Sequence, residues 1–116
     1  CALPILAAAS QGAAEVIPET TIADVIGLAR AAKLFVSGDT GPLHIAGAVG
    51  TPLVALFGPT YAERNGPWSP ADITLSQNAQ CVCHYARRCR RSSRCIDDVA
   101  VDDVVAAIAR RLATRG

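Results

Sequence analysis

Between Ala32 and Thr60 the chain carries two short runs that are apolar at every position, Leu34-Phe35-Val36 and Leu53-Val54-Ala55-Leu56-Phe57, each closed by turn residues. An alternating strand keeps one face wet, whereas a continuous apolar run fits a strand buried on both faces. Between the runs lie Ser37-Gly38-Asp39-Thr40-Gly41-Pro42, a small-residue helical pattern from Leu43 to Val49, and the break Gly50-Thr51-Pro52. Strand, turn, helix and strand make one βαβ unit. Its crossover is right-handed by strong default, which brings both strand ends to one edge of the sheet. The loops at Asp39–Pro42 and Gly58–Thr60 are therefore expected side by side. The fold class that follows is α/β.

Open parallel sheets bind ligands outside the carboxyl ends of their strands. The Asp39–His44 turn sits at such an end and opens a helix. Asp39 or Thr40 is expected as its N-cap. Gly41 lets a ligand approach the backbone closely, and Pro42 suits the first helical position, where a missing N–H costs little. The N–H groups of Gly41, Leu43 and His44, together with the positive helix end, favour an anion. His44 adds a donor or, when protonated, a charge; Thr40 and Thr60 add hydroxyls. A capped core helix that merely joins two strands uses the same residues. No Gly-Lys-Ser/Thr follows a spaced glycine, and the pattern is not G-x-G-x-x-G. Residue chemistry alone reaches an anion or phosphate site and stops there.

Two blocks carry more: Asp39-Thr40-Gly41-Pro42-Leu43-His44-Ile45-Ala46, and Thr51-Pro52-Leu53-Val54-Ala55-Leu56-Phe57-Gly58-Pro59-Thr60. At this separation they closely resemble the carboxy-terminal nucleotide-sugar domain of glycosyltransferase family 9, the ADP-heptose:lipopolysaccharide heptosyltransferases. The resemblance runs from roughly Glu19 through Asn65-Gly66-Pro67-Trp68, the later cysteines and the final helix. It implies a Rossmann-like parallel sheet flanked by helices, the C-terminal half of a two-domain GT-B enzyme. It also implies transfer of heptose from an ADP-activated donor to lipopolysaccharide core. Donor-binding roles carry over to Asp39, Thr40, Gly41 and His44, with Pro42, Gly58 and Thr60 as further candidates. No metal cofactor is expected for the transfer. The catalytic base, the acceptor site, and the family's basic and acidic residues for donor phosphates and ribose are expected on sequence before Cys1. Residues 1–116 are then one partial nucleotide-sugar-binding domain, inactive or weakly nucleotide-binding by itself.

The opening Cys1 and the absence of methionine fit the same expectation of a longer protein. A formal net charge of +1 gives no field that argues for nucleic acid. No apolar stretch approaches the roughly 20 residues a membrane-spanning helix needs, and no basic-then-apolar signal peptide opens the chain. The expected location is cytoplasmic, with peripheral contact at the inner face of a bacterial inner membrane.

Elsewhere, Cys1 to Ala14 reads as the tail of an amphipathic or buried helix, and Ala14 to Pro18 as a short edge strand. Thr20 or Thr21 caps the next helix, with Asp24 in its first turn and Ile22, Val25, Ile26, Leu28 and Ala29 on its apolar face. Tyr61 to Pro70 is a loop, and Ala71 to Ser76 alternates as a strand. Asp102 or Asp103 is expected to start the last helix, with Val104, Val105, Ile108 and Leu112 facing the core and Arg110, Arg111 and Arg115 at its negative end.

Cys81, Cys83, Cys89 and Cys95, with His84 among them, form a compact cluster. Zinc, another cysteine-bound metal, disulfides and free thiols all remain open, though Cys-x-Cys is tighter than a usual zinc ribbon. Two other functional readings stay open as well. One is a non-catalytic nucleotide- or metal-binding or interaction module that dimerises through its exposed half-sheet. The other is a related transferase using a different donor such as a UDP-sugar.

Overall fold

The computed structural model describes residues 3–58, 69–76 and 99–114. In chain order the elements are helix α1 (Leu3–Ala9), helix α2 (Ile22–Ala31), strand β1 (Phe35–Gly38), helix α3 (Gly41–Ala48), strand β2 (Leu53–Phe57), strand β3 (Ile73–Ser76) and helix α4 (Val101–Ala113). The sheet has the order β1-β2-β3 and is parallel throughout. Phe35 pairs with Leu53 and Gly38 with Leu56; Val54 pairs with Ile73 and Phe57 with Ser76.

The continuous apolar run of β2 is explained by burial on both faces. Leu53, Ala55 and Phe57 cluster with Ala29 of α2 and Leu43 and Ala46 of α3, and Phe35 and Val49 pack against them. Val54 is out of phase with that set and is equally buried. Side chains alternate along a strand, so Val54 faces the other layer, where α4 packs on β2 and β3. Among the described residues, Phe57, Leu43, Leu53 and Val54 are the largest fully buried side chains, each worth about 2 kcal/mol of transfer free energy. Gly47 lets α3 lie close to the sheet: a Cβ there would sit 3.4 Å from Leu53 Cδ1.

The helix ends follow from local chemistry. Thr21 and Asp24 form a complete capping box on α2. The Thr21 hydroxyl accepts from the Asp24 N–H at 3.1 Å, and the Asp24 carboxylate accepts from the Thr21 N–H at 2.9 Å. Helix α3 ends in a Schellman motif: Gly50, at φ +84°, donates to Gly47 C=O, and Thr51 donates to Ala46 C=O. The Thr51 hydroxyl, itself buried, donates to Ala29 C=O at 2.7 Å and ties this turn to the end of α2.

Several sequence expectations are corrected. The first helix ends at Ala9, and Ile5 and Leu6 are exposed, so it is not a buried helix. Ala14–Pro18 forms no strand; Val16 and Ile17 lie exposed in irregular backbone. Ile22 and Leu28 are exposed too, which leaves Ala29, with half-buried Val25 and Ile26, as the inner face of α2. Helix α4 begins at Val101, with Ala100 at the N-cap position and Asp102 and Asp103 inside the first turn. Its inner face is rotated from expectation. Val105 and Leu112 are exposed, and the buried residues are Ala107 and Arg111.

Arg111 is buried because Asp72 meets it. Arg111 Nε donates to Asp72 Oδ1 at 2.9 Å, with side chains only 2% and 4% exposed respectively. The same Oδ1 accepts from the Leu53 N–H at 2.9 Å, and Arg111 Nη1 donates to Thr114 C=O at 2.9 Å. One carboxylate therefore joins the start of β2, the approach to β3 and the last turn of α4.

Candidate functional site

The carboxyl ends of β1 and β2 lie together, as the βαβ reading requires. Gly38 pairs with Leu56, so the turn after β1 begins beside Phe57 and the buried Gly58. Asp39, Thr40, Gly41, Pro42 and His44 all sit at this edge, at the start of α3. Thr60 and the cysteine cluster of Cys81, Cys83, Cys89 and Cys95 lie outside the described residues. Among the described residues, no three His, Cys, Asp or Glu side chains group as a metal site.

Within the turn the side chains divide the work differently from expectation. Thr40 holds the N-cap position with extended backbone (φ −141°, ψ 169°), yet its side chain makes no capping hydrogen bond. Its Oγ1 instead lies 3.2 Å from Ser37 Oγ and 3.5 Å from Gly38 O. Asp39 Oδ1 lies 3.2 Å from His44 Nε2. The carboxylate side chain is 16% exposed and the imidazole 43% exposed, so His44 reaches solvent while its partner is tucked behind it. Pro42 occupies the second helical position rather than the first, one residue after Gly41.

The helix amino end is more restricted than sequence suggests. The Leu43 N–H donates to Thr40 C=O at 3.1 Å, a tight first turn that removes this donor from the anticipated anion set. His44 stands at the fourth helical position, where the first α-helical turn directs its N–H to Thr40 C=O, so Gly41 remains the backbone candidate and His44 offers its side chain. A Cβ added at Gly41 would meet nothing within 4 Å among the described residues.

Next to the turn, a shallow cleft of about 240 Å³ runs between the segment before α2 and the β1–α3 junction. Ile17, Pro18, Leu28, Phe35 and Pro42 make it largely apolar, and Thr20 adds a hydroxyl. Pro42 belongs both to this cleft and to the helix start.

The sequence gives Ser37 no role beyond its place in the turn. Its one signal is a second hydroxyl three residues before Thr40. No local pattern announces that Asp39 and His44 pair, because a five-residue separation across a strand-to-helix turn has no fixed geometry.

A three-stranded parallel sheet flanked by helices is an α/β domain of the Rossmann-like kind. Sequence comparison gives the family. The profile of Glycosyltransferase family 9 (heptosyltransferase) matches residues 2–93, and the chain belongs to that family. Lipopolysaccharide heptosyltransferase 1 of Campylobacter coli is 35% identical over 60 residues, 52% of this chain and 18% of that protein. Lipopolysaccharide heptosyltransferase 1 of Pseudomonas aeruginosa is 31% identical over 84 residues, 72% of this chain and 23% of that protein. Lipopolysaccharide heptosyltransferase 3 of Escherichia coli is 53% identical over 38 residues, 33% of this chain and 11% of that protein. The chain spans about a quarter or less of the length of these relatives. No solved structure matches it.

Proposed function

We propose that this chain is the donor-binding part of a glycosyltransferase that moves heptose from an ADP-activated donor to lipopolysaccharide core. In that protein it is the C-terminal half of a GT-B pair. The observation that carries the reading is the β1–α3 turn, where His44 and the open Gly41 backbone face the same strand edge. Family membership supplies the chemistry for which such a turn is suited.

Breaking the glycosidic bond puts negative charge on the departing diphosphate. The Gly41 N–H and the positive end of α3 stabilise that charge where it develops. His44 contributes most as an imidazolium. With Nε2–H directed at the Asp39 carboxylate, the other ring nitrogen carries a proton for the phosphate only in the charged form. Asp39 thus balances and orients His44. This differs from a carboxylate whose main work is to bind sugar hydroxyls, and it keeps like charge away from the phosphate. The apolar cleft beside Pro42 takes the flat face of the nucleobase. Transfer needs no metal on this reading. The base that activates the acceptor hydroxyl, and most of the acceptor site, belong to the partner domain. Among the described residues no helix is long and apolar enough to cross a membrane; access to a lipid-linked acceptor is by peripheral contact at the cytoplasmic face.

Calorimetric titration with ADP and adenosine tests this directly. ADP binds and adenosine binds much more weakly, and His44→Ala reduces ADP affinity by about tenfold or more, the loss of one charge-assisted hydrogen bond. Equal affinity for adenosine and ADP would show that the diphosphate is not held.

A further inference from the structure

Strand β1 is open on two sides. The Phe35 N–H donates to Pro52 C=O at 2.9 Å, which turns the backbone groups of Phe35 and Ser37 toward β2 and those of Val36 toward the outer edge of the sheet. Among the described residues no strand pairs with that edge. The face of β1 on the α4 side is bare as well. Val36 is in register with Val54 and so faces the α4 layer, yet it is 41% exposed where Val54 is fully buried. Parallel sheets are covered on both faces, whereas α4 packs on β2 and β3.

Helix α4 carries a matching surface. Val101, Val105, Ile108 and Leu112 recur at i, i+4, i+7 and i+11, one apolar stripe along its flank. Val101, Val105 and Leu112 are exposed. At about 100° per residue, Arg110 falls on the opposite flank, and Arg110 and Thr114 line a surface pocket with Ile73 and Thr74 of β3. The charged flank is therefore on the β3 side and the apolar stripe on the β1 side. Val36 and that stripe form the floor and one wall of a trough the width of a helix.

Crossover handedness says what fills it. Helices α2 and α3 share the other face, where Ala29, Leu43 and Ala46 cluster. A right-handed crossover through that face runs in the direction β1 to β2. The chain that reaches β1 through α2 thus arrives from beyond the free edge, where Ile17 and Pro18 line a cleft with Phe35 and Pro42. A right-handed crossover through the α4 face runs the opposite way, outward from β1. We propose that the free edge of β1 and the apolar trough dock one strand–helix unit of the same polypeptide, drawn from sequence before residue 1. Its strand pairs in parallel with Val36, its helix lies on Val36 and the α4 stripe, and α2 brings the chain back. The matched relatives are about four times the length of the stretch they share with this chain or more, which leaves ample sequence for such a unit.

The test is amide hydrogen exchange on the full-length protein, resolved at Val36 by NMR, with thermal scans of Val36→Lys and Val105→Lys. The Val36 amide is expected to exchange at least about a hundredfold more slowly than in an unstructured chain, as a paired strand does and a free edge does not. Each lysine is expected to lower the midpoint by about 5 °C or more, because it places a charge in a filled apolar trough. An unprotected Val36 amide, or lysines that shift the midpoint by less than about 1 °C, overturns the proposal. Protection that grows with protein concentration, together with a doubled mass in light scattering, assigns the surface to a second copy and overturns it too. Exchange is read on the unaltered protein, so it decides even where a lysine variant does not fold. Neither readout involves ADP, so failure here is distinct from failure of the donor-site reading.

Discussion

Arg111→Ala is the substitution whose cost follows most directly from the structure. The guanidinium and the Asp72 carboxylate are almost wholly removed from water, and Asp72 Oδ1 is shared between Arg111 Nε and the Leu53 N–H, each at 2.9 Å. An exposed pair contributes about 0–1 kcal/mol. Removing one partner of a buried pair leaves an uncompensated charge and costs about 3–5 kcal/mol. A domain of this size has roughly 5–15 kcal/mol in all, so the loss is a large part of it. At about 4 °C per kcal/mol, the midpoint falls by roughly 12–20 °C. Urea unfolding followed by circular dichroism measures the free energy, and a thermal scan measures the midpoint. The double variant Asp72→Asn with Arg111→Met separates charge from packing. The asparagine carbonyl still accepts from Leu53, the methionine fills much of the volume, and no buried charge remains. More than half of the lost stability is expected to return. A single-variant cost below about 1 kcal/mol, or a double variant as unstable as Arg111→Ala, would refute the view that an isolated buried charge sets the cost.

Gly50→Ala tests the Schellman turn: with φ at +84° and nothing within 4 Å of the new Cβ, the cost is backbone strain of about 1–2 kcal/mol, read from urea midpoints. Asp24 tests the capping box by pH. The Thr21 backbone N–H, and then the Thr21 side chain, hold its carboxyl below the ordinary aspartate range. A depressed folded-state pKa contributes stability above the unfolded value that is lost as pH falls through the folded one. The destabilisation caused by Asp24→Ala is therefore expected at neutral pH and to shrink below about pH 4; a difference independent of pH would contradict it.

How much of this was legible in the sequence depended on whether the cause was local. Strand β2 was legible to the residue, because Leu53 to Phe57 contains no polar position and Pro52 and Gly58 bound it. The turn into α3 was legible from Gly-Asp-Thr-Gly-Pro, and the start of α2 from Thr20 or Thr21 with Asp24 in the first turn; that Thr21 and Asp24 close a reciprocal box is seen in the structure. What failed depended on distant partners. Arg111 read as a surface charge at a helix end, yet it shares a face with Val104 and Ala107, and its carboxylate lies 39 residues earlier. The spacing from 104 to 107 to 111 was the available signal. Val16 and Ile17 have strand-forming side chains, but no neighbouring strand among the described residues pairs with them. Within the candidate site, residue types brought Asp39, Thr40, Gly41, Pro42 and His44 to one strand edge, where the structure has them. They left open which acceptor each hydroxyl and carboxylate would choose, because Thr40 had both helix amides and Ser37 within reach.

The most direct measurement is a crystal structure of the chain soaked with ADP. Diphosphate oxygens about 3 Å from the Gly41 backbone N–H, with the His44 ring turned toward them, are the expected result. A diphosphate bound elsewhere, or a β1–α3 turn that stays closed on itself with ADP in place, would contradict the donor-site assignment.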